Sequence, residues 1–211
     1  PVVGRDMCWL DLCAGPGGKA TLLTGLARER GATLIANERL VHRAALVRAG
    51  LQAYGPPATV VCGDGRHPAW RPGTFDRVLV DAPCSGLGAL RRRPESRWRR
   101  VPADLDRLVP LQRRLLTAAL ESVRPGGVVA YVTCSPVLAE TAGVVGSVLA
   151  ERDDVRLEDA VDLVGLPDSA GPLAGTVQLW PHRHGTDAMF LALLRRSRST
   201  GGPGGLATAA G

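Results

Sequence analysis

Lysine is almost missing from this chain: of the 26 basic side chains in 211 residues, Lys19 alone is a lysine. Genome-wide codon bias can produce such an arginine excess, so the bias is no evidence of function, but it makes the one lysine a position to follow. Long apolar runs are missing too. No stretch reaches the roughly 18 uninterrupted apolar residues of a membrane-spanning helix, which excludes that class of protein. The opening PVVGRDMCWLD has no basic start, apolar middle or small-residue cleavage site, so no secretory signal is expected and the cytoplasm is the expected compartment. The five cysteines, Cys8, Cys13, Cys62, Cys84 and Cys134, include no C-x-x-C pair. A disulfide framework is not expected. Neither is a metal site, because His182 and His184 have no cysteine near them in sequence.

What remains is an ordinary globular balance, 45% hydrophobic and 22% charged. That suits one sizeable α/β domain and is too apolar for disorder. Twenty-six cations against twenty carboxylates leave a formal charge of +6. Arginine-borne positive charge suits phosphate, since the planar guanidinium can bond two oxygens at once.

Strand and helix patterns alternate along the chain. Apolar runs at 7–12, 33–37, 58–62, 75–81 and 128–133 read as buried strands, with further strand candidates at 155–161 and 188–196. Helices are expected over 17–30, 39–49 and 138–150, and over 104–123, where Leu105, Leu108, Leu115, Leu116, Ala119, Leu120 and Val123 make one stripe. Pro110 should kink that helix or mark its early turn. PGG at 125–127 reads as a turn, and STGGPGGLATAAG at 199–211 as a disordered tail after one domain spanning 1–198. Alternation of this kind predicts a doubly wound, mostly parallel sheet with helices on both faces. Ligands in such sheets bind beyond the carboxyl ends of the strands. Those ends carry CAGPGGK, NE, GDGR, DAPCSG and TCSP.

The loop after the first strand fails the phosphate-loop pattern, because Cys13 stands where its first glycine belongs and Ala20 follows Lys19. It satisfies the permissive dinucleotide pattern at Gly15, Gly17 and Ala20, with an acid at Glu38. Glycines that allow close backbone approach and a carboxylate for ribose hydroxyls suit any nucleoside ligand; a plain tight turn is the alternative. After strands four and five, neighbours in a doubly wound sheet, Asp81, Cys84 and Cys134 should meet at one rim. Thiols there are candidate nucleophiles, whereas Cys8 and Cys62, inside strands, are expected to be buried and inert.

CAGPGGK, DAPCSG and TCS, in this order and spacing, resemble the RsmB/Sun family of RNA cytosine-5 methyltransferases, from about Met7 to Arg196. LRRRPESRWRR and GTDAMFLALLRR are similar to its bacterial 16S ribosomal RNA branch. The resemblance implies a Rossmann-like fold using S-adenosylmethionine (SAM). It implies that Cys13, Ala14, Gly15, Pro16, Gly17, Gly18 and Lys19 hold the methionine end of SAM, that Glu38 binds the ribose, and that Asp64 sits near the adenine or its amine. Asp81 would lie between cofactor and base, Cys134 would be the nucleophile, and Cys84 the thiol that completes turnover. The chain departs from the family at Gly15, where Ala is frequent, at Glu38, where Asp is common, and after TCSP, where LAET replaces an Asn-containing acidic run. Family members usually carry an amino-terminal RNA-binding portion before the strand with which this chain almost begins.

Residues 91–100, RRRPESRWRR, set six arginines against Glu95 and so hold +5 of the net +6. A charge run is most often a solvated face. This one directly follows DAPCSGLGAL, so Arg91, Arg92, Arg93, Arg97, Arg99 and Arg100 are expected to meet RNA phosphates, with Trp98 stacking on a base. The leading expectation is an enzyme methylating 16S ribosomal RNA. The same chemistry on transfer RNA, and a non-catalytic RNA-binding module on the same fold, stay open.

Overall fold

The computed structural model describes residues 7–55 and 58–198; the expected tail at 199–211 lies outside the described residues. β1 (Cys8–Asp11) runs through the glycine loop into α1 (Gly18–Glu29). β2 (Thr33–Glu38), α2 (Val41–Gln52), β3 (Ala58–Cys62) and β4 (Phe75–Asp81) follow. Next come a short α3 (Ser96–Arg99), the long α4 (Asp104–Ser122) and β5 (Val123–Thr133). α5 (Ala142–Leu149), β6 (Val155–Glu158), α6 (Val161–Val164), β7 (Val177–Gln178), α7 (Pro181–His184) and β8 (Phe190–Arg196) complete the fold.

The strands form one sheet in the order β3-β2-β1-β4-β5-β8-β6, with β7 also paired to β8. β3 through β5 are parallel, and β8 runs antiparallel to β5 and β6. From β1 the chain winds outward to β2 and β3 and then returns to β4 on the other side. The carboxyl ends of β1 and β4 therefore flank the point where strand order reverses, and a crevice opens there.

Side-chain alternation sends successive residues to opposite faces. Leu10, Val78, Val80, Val129, Tyr131 and Phe190 pack beneath Leu115, Leu116 and Leu120 of α4 and Val144 and Val148 of α5. Trp9, on the opposite face from Leu10, packs with Ala27 of α1 and with Leu34. Ala36 of β2 meets Ala20 of α1 and Val47 and Leu51 of α2. Helices thus lie on both faces, although Leu79, Val128, Ala130 and Leu193 on the α1 face stay half-buried. Among the described residues no helix is long and apolar enough to cross a membrane.

Two local readings need correction. The turn expected at 125–127 does not separate a helix from a fresh strand: β5 pairs from Val123 onward, and residues 124–127 bulge opposite Asp76 before Val128 resumes the ladder with Arg77. Gly126 takes φ +83°, and a Cβ on Gly127 would lie 2.8 Å from the Asp76 carbonyl, so glycine is what lets the bulge fit. The strand expected over 155–161 ends at Glu158, because the Asp159 carboxylate accepts the Val161 N–H at 2.8 Å and starts a turn. Pro110 is the seventh residue of α4, past its first turn, where it leaves the Asp106 carbonyl without its usual helical donor.

Candidate active site

A cleft of about 1030 Å³ runs along the carboxyl ends of the parallel strands and is lined by both the glycine loop and the two cysteine loops. On its first side the loop of residues 13–19 is anchored to β2 by the Ala14 N–H donating to the Asn37 carbonyl at 2.9 Å. Pro16 follows a cis peptide bond, and Gly17 has φ +124°. Gly18 opens α1, and a Cβ there would meet nothing within 4 Å, so the start of the helix stays accessible. The buried Glu38 carboxylate accepts the N–H groups of Gly15 at 3.1 Å and Leu40 at 2.9 Å. Arg43 braces this corner, donating to the Gly15 carbonyl at 2.5 Å. Asp64 also lines the cleft, but its carboxylate is gripped by Arg66, whose hydrogen-bonded guanidinium holds its pKa down to about 2.

On the second side, β4 and β5 are direct neighbours, with Asp81 opposite Val132. The Sγ atoms of Cys84 and Cys134 stand 3.4 Å apart. A hydrogen bond from Cys84 draws the Cys134 pKa down from its ordinary value, with Lys19 assisting against burial and Asp81. Cys84 moves the other way, held protonated by that same hydrogen bond and by burial. Cys134 is therefore the more readily deprotonated thiol of the pair. Cys13, though in the cleft, is pushed far up by burial and stays a neutral thiol. The single lysine joins the two sides: Lys19 Nζ donates to Asp81 Oδ2 at 2.6 Å.

Sequence reasoning missed Asp11, the last residue of β1. It is fully buried, its Oδ2 has no partner among the described residues, and burial, with the Asp81 carboxylate adding to it, pushes its pKa up to about 7. Its position at a strand end was the available signal. Glu140, fully buried beneath both cysteine loops, was missed as well. Cys62 corrects an expectation: β3 is an edge strand, and its thiol is exposed rather than buried. Cys8 is half-buried, with burial raising its pKa. No group of three or more His, Cys, Asp or Glu that could hold a metal occurs among the described residues.

The basic segment borders the cleft through Arg92, Arg93 and Arg100, yet its arginines are not equivalent. Arg92 is bound bidentately to the buried Asp187, and Arg100 Nε donates to the Ser85 carbonyl at 2.8 Å. Arg91, Arg93, Arg97 and Arg99 are exposed and make no ion pair among the described residues. The Arg97 guanidinium lies 5.0 Å over the ring of Trp98, which is itself 81% exposed.

Residues 3–195 match the family described as 16S rRNA methyltransferase RsmB/F. A Mycobacterium tuberculosis chain named as a methyltransferase, Rv1407, is 57% identical over 93% of this chain and 42% of its own length. Ribosomal RNA small subunit methyltransferase B of Sodalis glossinidius is 43% identical over 72% of this chain and 35% of its own. This chain thus spans less than half the length of these curated relatives. Among solved structures, PH0851 superposes with a TM-score of 0.84 at 31% identity, covering 92% of this chain and 44% of that one. NSun6 from Pyrococcus horikoshii, solved with the SAM analogue SFG, gives 0.77 at 27% identity over 92% of this chain and 49% of its own.

Proposed function

The chain belongs to the 16S rRNA methyltransferase RsmB/F family, and on that premise we propose that it transfers a methyl group from SAM to C5 of a cytosine in RNA, in 16S ribosomal RNA, through a covalent Cys134–C6 adduct. The observation that carries the reading is the pair of thiols 3.4 Å apart with opposite proton preferences, in the cleft that also holds the glycine loop.

The residues on the first side fit the cofactor. Gly18 leaves open space at a helix start, Glu38 is an acceptor at the end of β2, and Asp11 presents a buried oxygen with no partner. In this reading the loop from Cys13 to Lys19 holds the methionine end, Glu38 takes the ribose hydroxyls, and Asp64 sits at the adenine end. Bound there, SAM supplies an electrophilic methyl group.

Cytosine C5 is too weak a nucleophile to take that group unaided. Addition of the Cys134 thiolate to C6 pushes an electron pair toward C5 and makes the ring an enamine. Asp81, fixed by Lys19, accepts a hydrogen bond from the cytosine N4 amino group and orients the base. After methylation the C5 proton must leave before the C6–S bond can break. Adduct formation itself prepares Cys84 for this. It converts the neighbouring thiolate to a neutral thioether and so removes the charge that kept Cys84 protonated. Once its own proton has gone to solvent, the Cys84 thiolate takes the C5 proton. The C5–H electron pair restores the double bond, and the C6–S pair returns to Cys134. A stacked base cannot reach these thiols, so the target is flipped out or single-stranded, flipping costing a few kcal/mol.

The test uses labelled SAM, 16S RNA and two variants. Cys134→Ala should lose transfer to background while SAM affinity stays within a few-fold of wild type. Cys84→Ala should accumulate a denaturation-resistant protein–RNA species that disappears when Cys134 is also replaced. Normal turnover by Cys134→Ala would overturn the assignment.

A further inference from the structure

Both cysteine loops rest on one carboxylate. Glu140 lies in the single helical turn Leu138–Glu140 between β5 and α5 and is fully buried. Its Oε1 accepts the Ser85 N–H at 2.7 Å and Gln112 Nε2 at 3.0 Å. Its Oε2 accepts the hydroxyls of Ser85 at 2.5 Å and Ser135 at 2.6 Å. Ser85 adjoins Cys84, and Ser135 adjoins Cys134. Gln112, from α4, also donates to the Pro83 carbonyl at 2.9 Å, on the other side of Cys84. The Tyr131 hydroxyl donates to the Glu140 carbonyl at 2.8 Å and ties the same turn to β5. No cation pairs with Glu140 among the described residues. Four donors offset its desolvation instead. An apolar side chain would fill this volume more cheaply. A carboxylate with two bonds to the Ser85 residue and one to Ser135 does something an apolar group cannot: it fixes one cysteine loop against the other.

We propose that Glu140 is a positioning residue that sets the spacing of Cys84 and Cys134, and through it the passage from adduct formation to adduct release. The inference rests on the methyl-transfer reading above. Glu140 touches neither thiol by hydrogen bond; it acts through the serines beside them. With the clamp gone, the loops can drift apart, the Cys84 S–H no longer reaches the Cys134 thiolate, and Cys84 no longer stands where the C5 proton must go.

The experiment follows alkylation of Cys134 by iodoacetamide against pH, read by peptide mass spectrometry, and in parallel the amount of covalent adduct formed with SAM and a 16S RNA transcript. Cys134 is also faced by Asp81, Lys19 and Arg92, which the variants leave in place. Glu140→Ala should move the alkylation midpoint to higher pH by about one unit, toward the profile of Cys84→Ala. It should also slow adduct release about ten-fold or more relative to adduct formation. Glu140→Gln should stay near wild type, because its amide oxygen can accept from the two fixed N–H donors while its NH₂ donates to the two rotatable hydroxyls. In a Cys84→Ala background Glu140→Ala should cause no further shift, the non-additivity expected of residues acting through one contact. If Glu140→Ala does not fold, Ser85→Ala and Ser135→Ala each remove one hydroxyl and should give part of the same shift. An unchanged alkylation profile in a folded Glu140→Ala protein, with only the melting temperature lowered, would overturn the proposal. The thiol measurement needs no RNA. A shifted profile without any adduct in the Cys84→Ala protein would therefore sink the methyl-transfer reading and leave the positioning role standing. A Cys84→Ala adduct with an unshifted profile in Glu140→Ala would do the reverse.

Discussion

Gly15 and Glu38 are 23 residues apart and are chemically one feature. A Cβ on Gly15 would lie 2.1 Å from Glu38 Oε2, inside any permitted contact, and 2.9 Å from the Arg43 guanidinium. The two departures from the family's common Ala and Asp therefore compensate each other: the longer carboxylate occupies the space the missing methyl vacates and takes the Gly15 N–H. The sequence showed both departures but not their coupling, because only folding brings the end of β2 against the glycine loop. Gly15→Ala alone should displace the carboxylate and weaken SAM binding on the order of ten-fold. Glu38→Asp alone should lose the reach to Gly15 and weaken it less. The double variant should bind better than the two losses combined predict, with a coupling of about 1–2 kcal/mol. Calorimetric titration of the four proteins with SAM measures this, and additive losses would refute the compensation. The positions of Asp81, Cys84 and Cys134 are legible for a simpler reason: each ends or follows a strand whose apolar run stops abruptly, and strand ends in a parallel sheet share one rim. Glu140 was not legible, since Ser85 and Gln112 lie 55 and 28 residues away from it.

The strands and their alternating faces could be read from apolar periodicity, but which strand would become an edge could not. That is why Cys62, on β3, is exposed. The bulge in β5 is visible in the sequence as PGG and reads there as a turn, because composition does not say that pairing resumes beyond it. In the basic segment, counting charges could not separate arginines committed inside the protein from those left for a ligand. Arg92 finds Asp187, 95 residues on, and Arg100 finds the Ser85 carbonyl. The free set is Arg91, Arg93, Arg97 and Arg99, beside the exposed Trp98. Replacing Arg91, Arg97 and Arg99 with alanine should flatten the log–log dependence of RNA affinity on salt by about two units, at roughly 0.7 per single-stranded phosphate contact. SAM affinity should not change. Arg92→Ala should instead lower stability, because it leaves the buried Asp187 without its counter-ion. Parallel salt plots for wild type and the triple variant would mean these arginines face solvent only.

For the whole molecule, nearly all of the net charge sits in one ten-residue segment at the lip of the cleft, so the remainder is close to neutral and its positive field is focused where RNA would enter. The same cleft costs the fold stability through Asp11. Its folded pKa of about 7 exceeds the roughly 3.9 of an unfolded aspartate, chiefly because the carboxylate is buried and secondarily because Asp81 is near. Between about pH 4 and pH 7 the folded protein holds a proton on Asp11 that the unfolded chain has released, so stability falls as pH rises through that window and levels off above it. The full effect is on the order of 4 kcal/mol. Asp64, Asp154, Glu158 and Asp187 have the opposite sign: arginine partners lower their pKa values, and the stability they confer is lost only as pH falls below the ordinary carboxylate range. The two effects therefore occupy different parts of the pH axis. Asp11→Asn keeps the side-chain shape and removes the titration. Its melting temperature should stay level from about pH 5 to pH 7.5 while that of wild type declines, and the two curves should converge near pH 4. Melting curves that run parallel across this range would show that Asp11 is not the group whose burial strains the cleft.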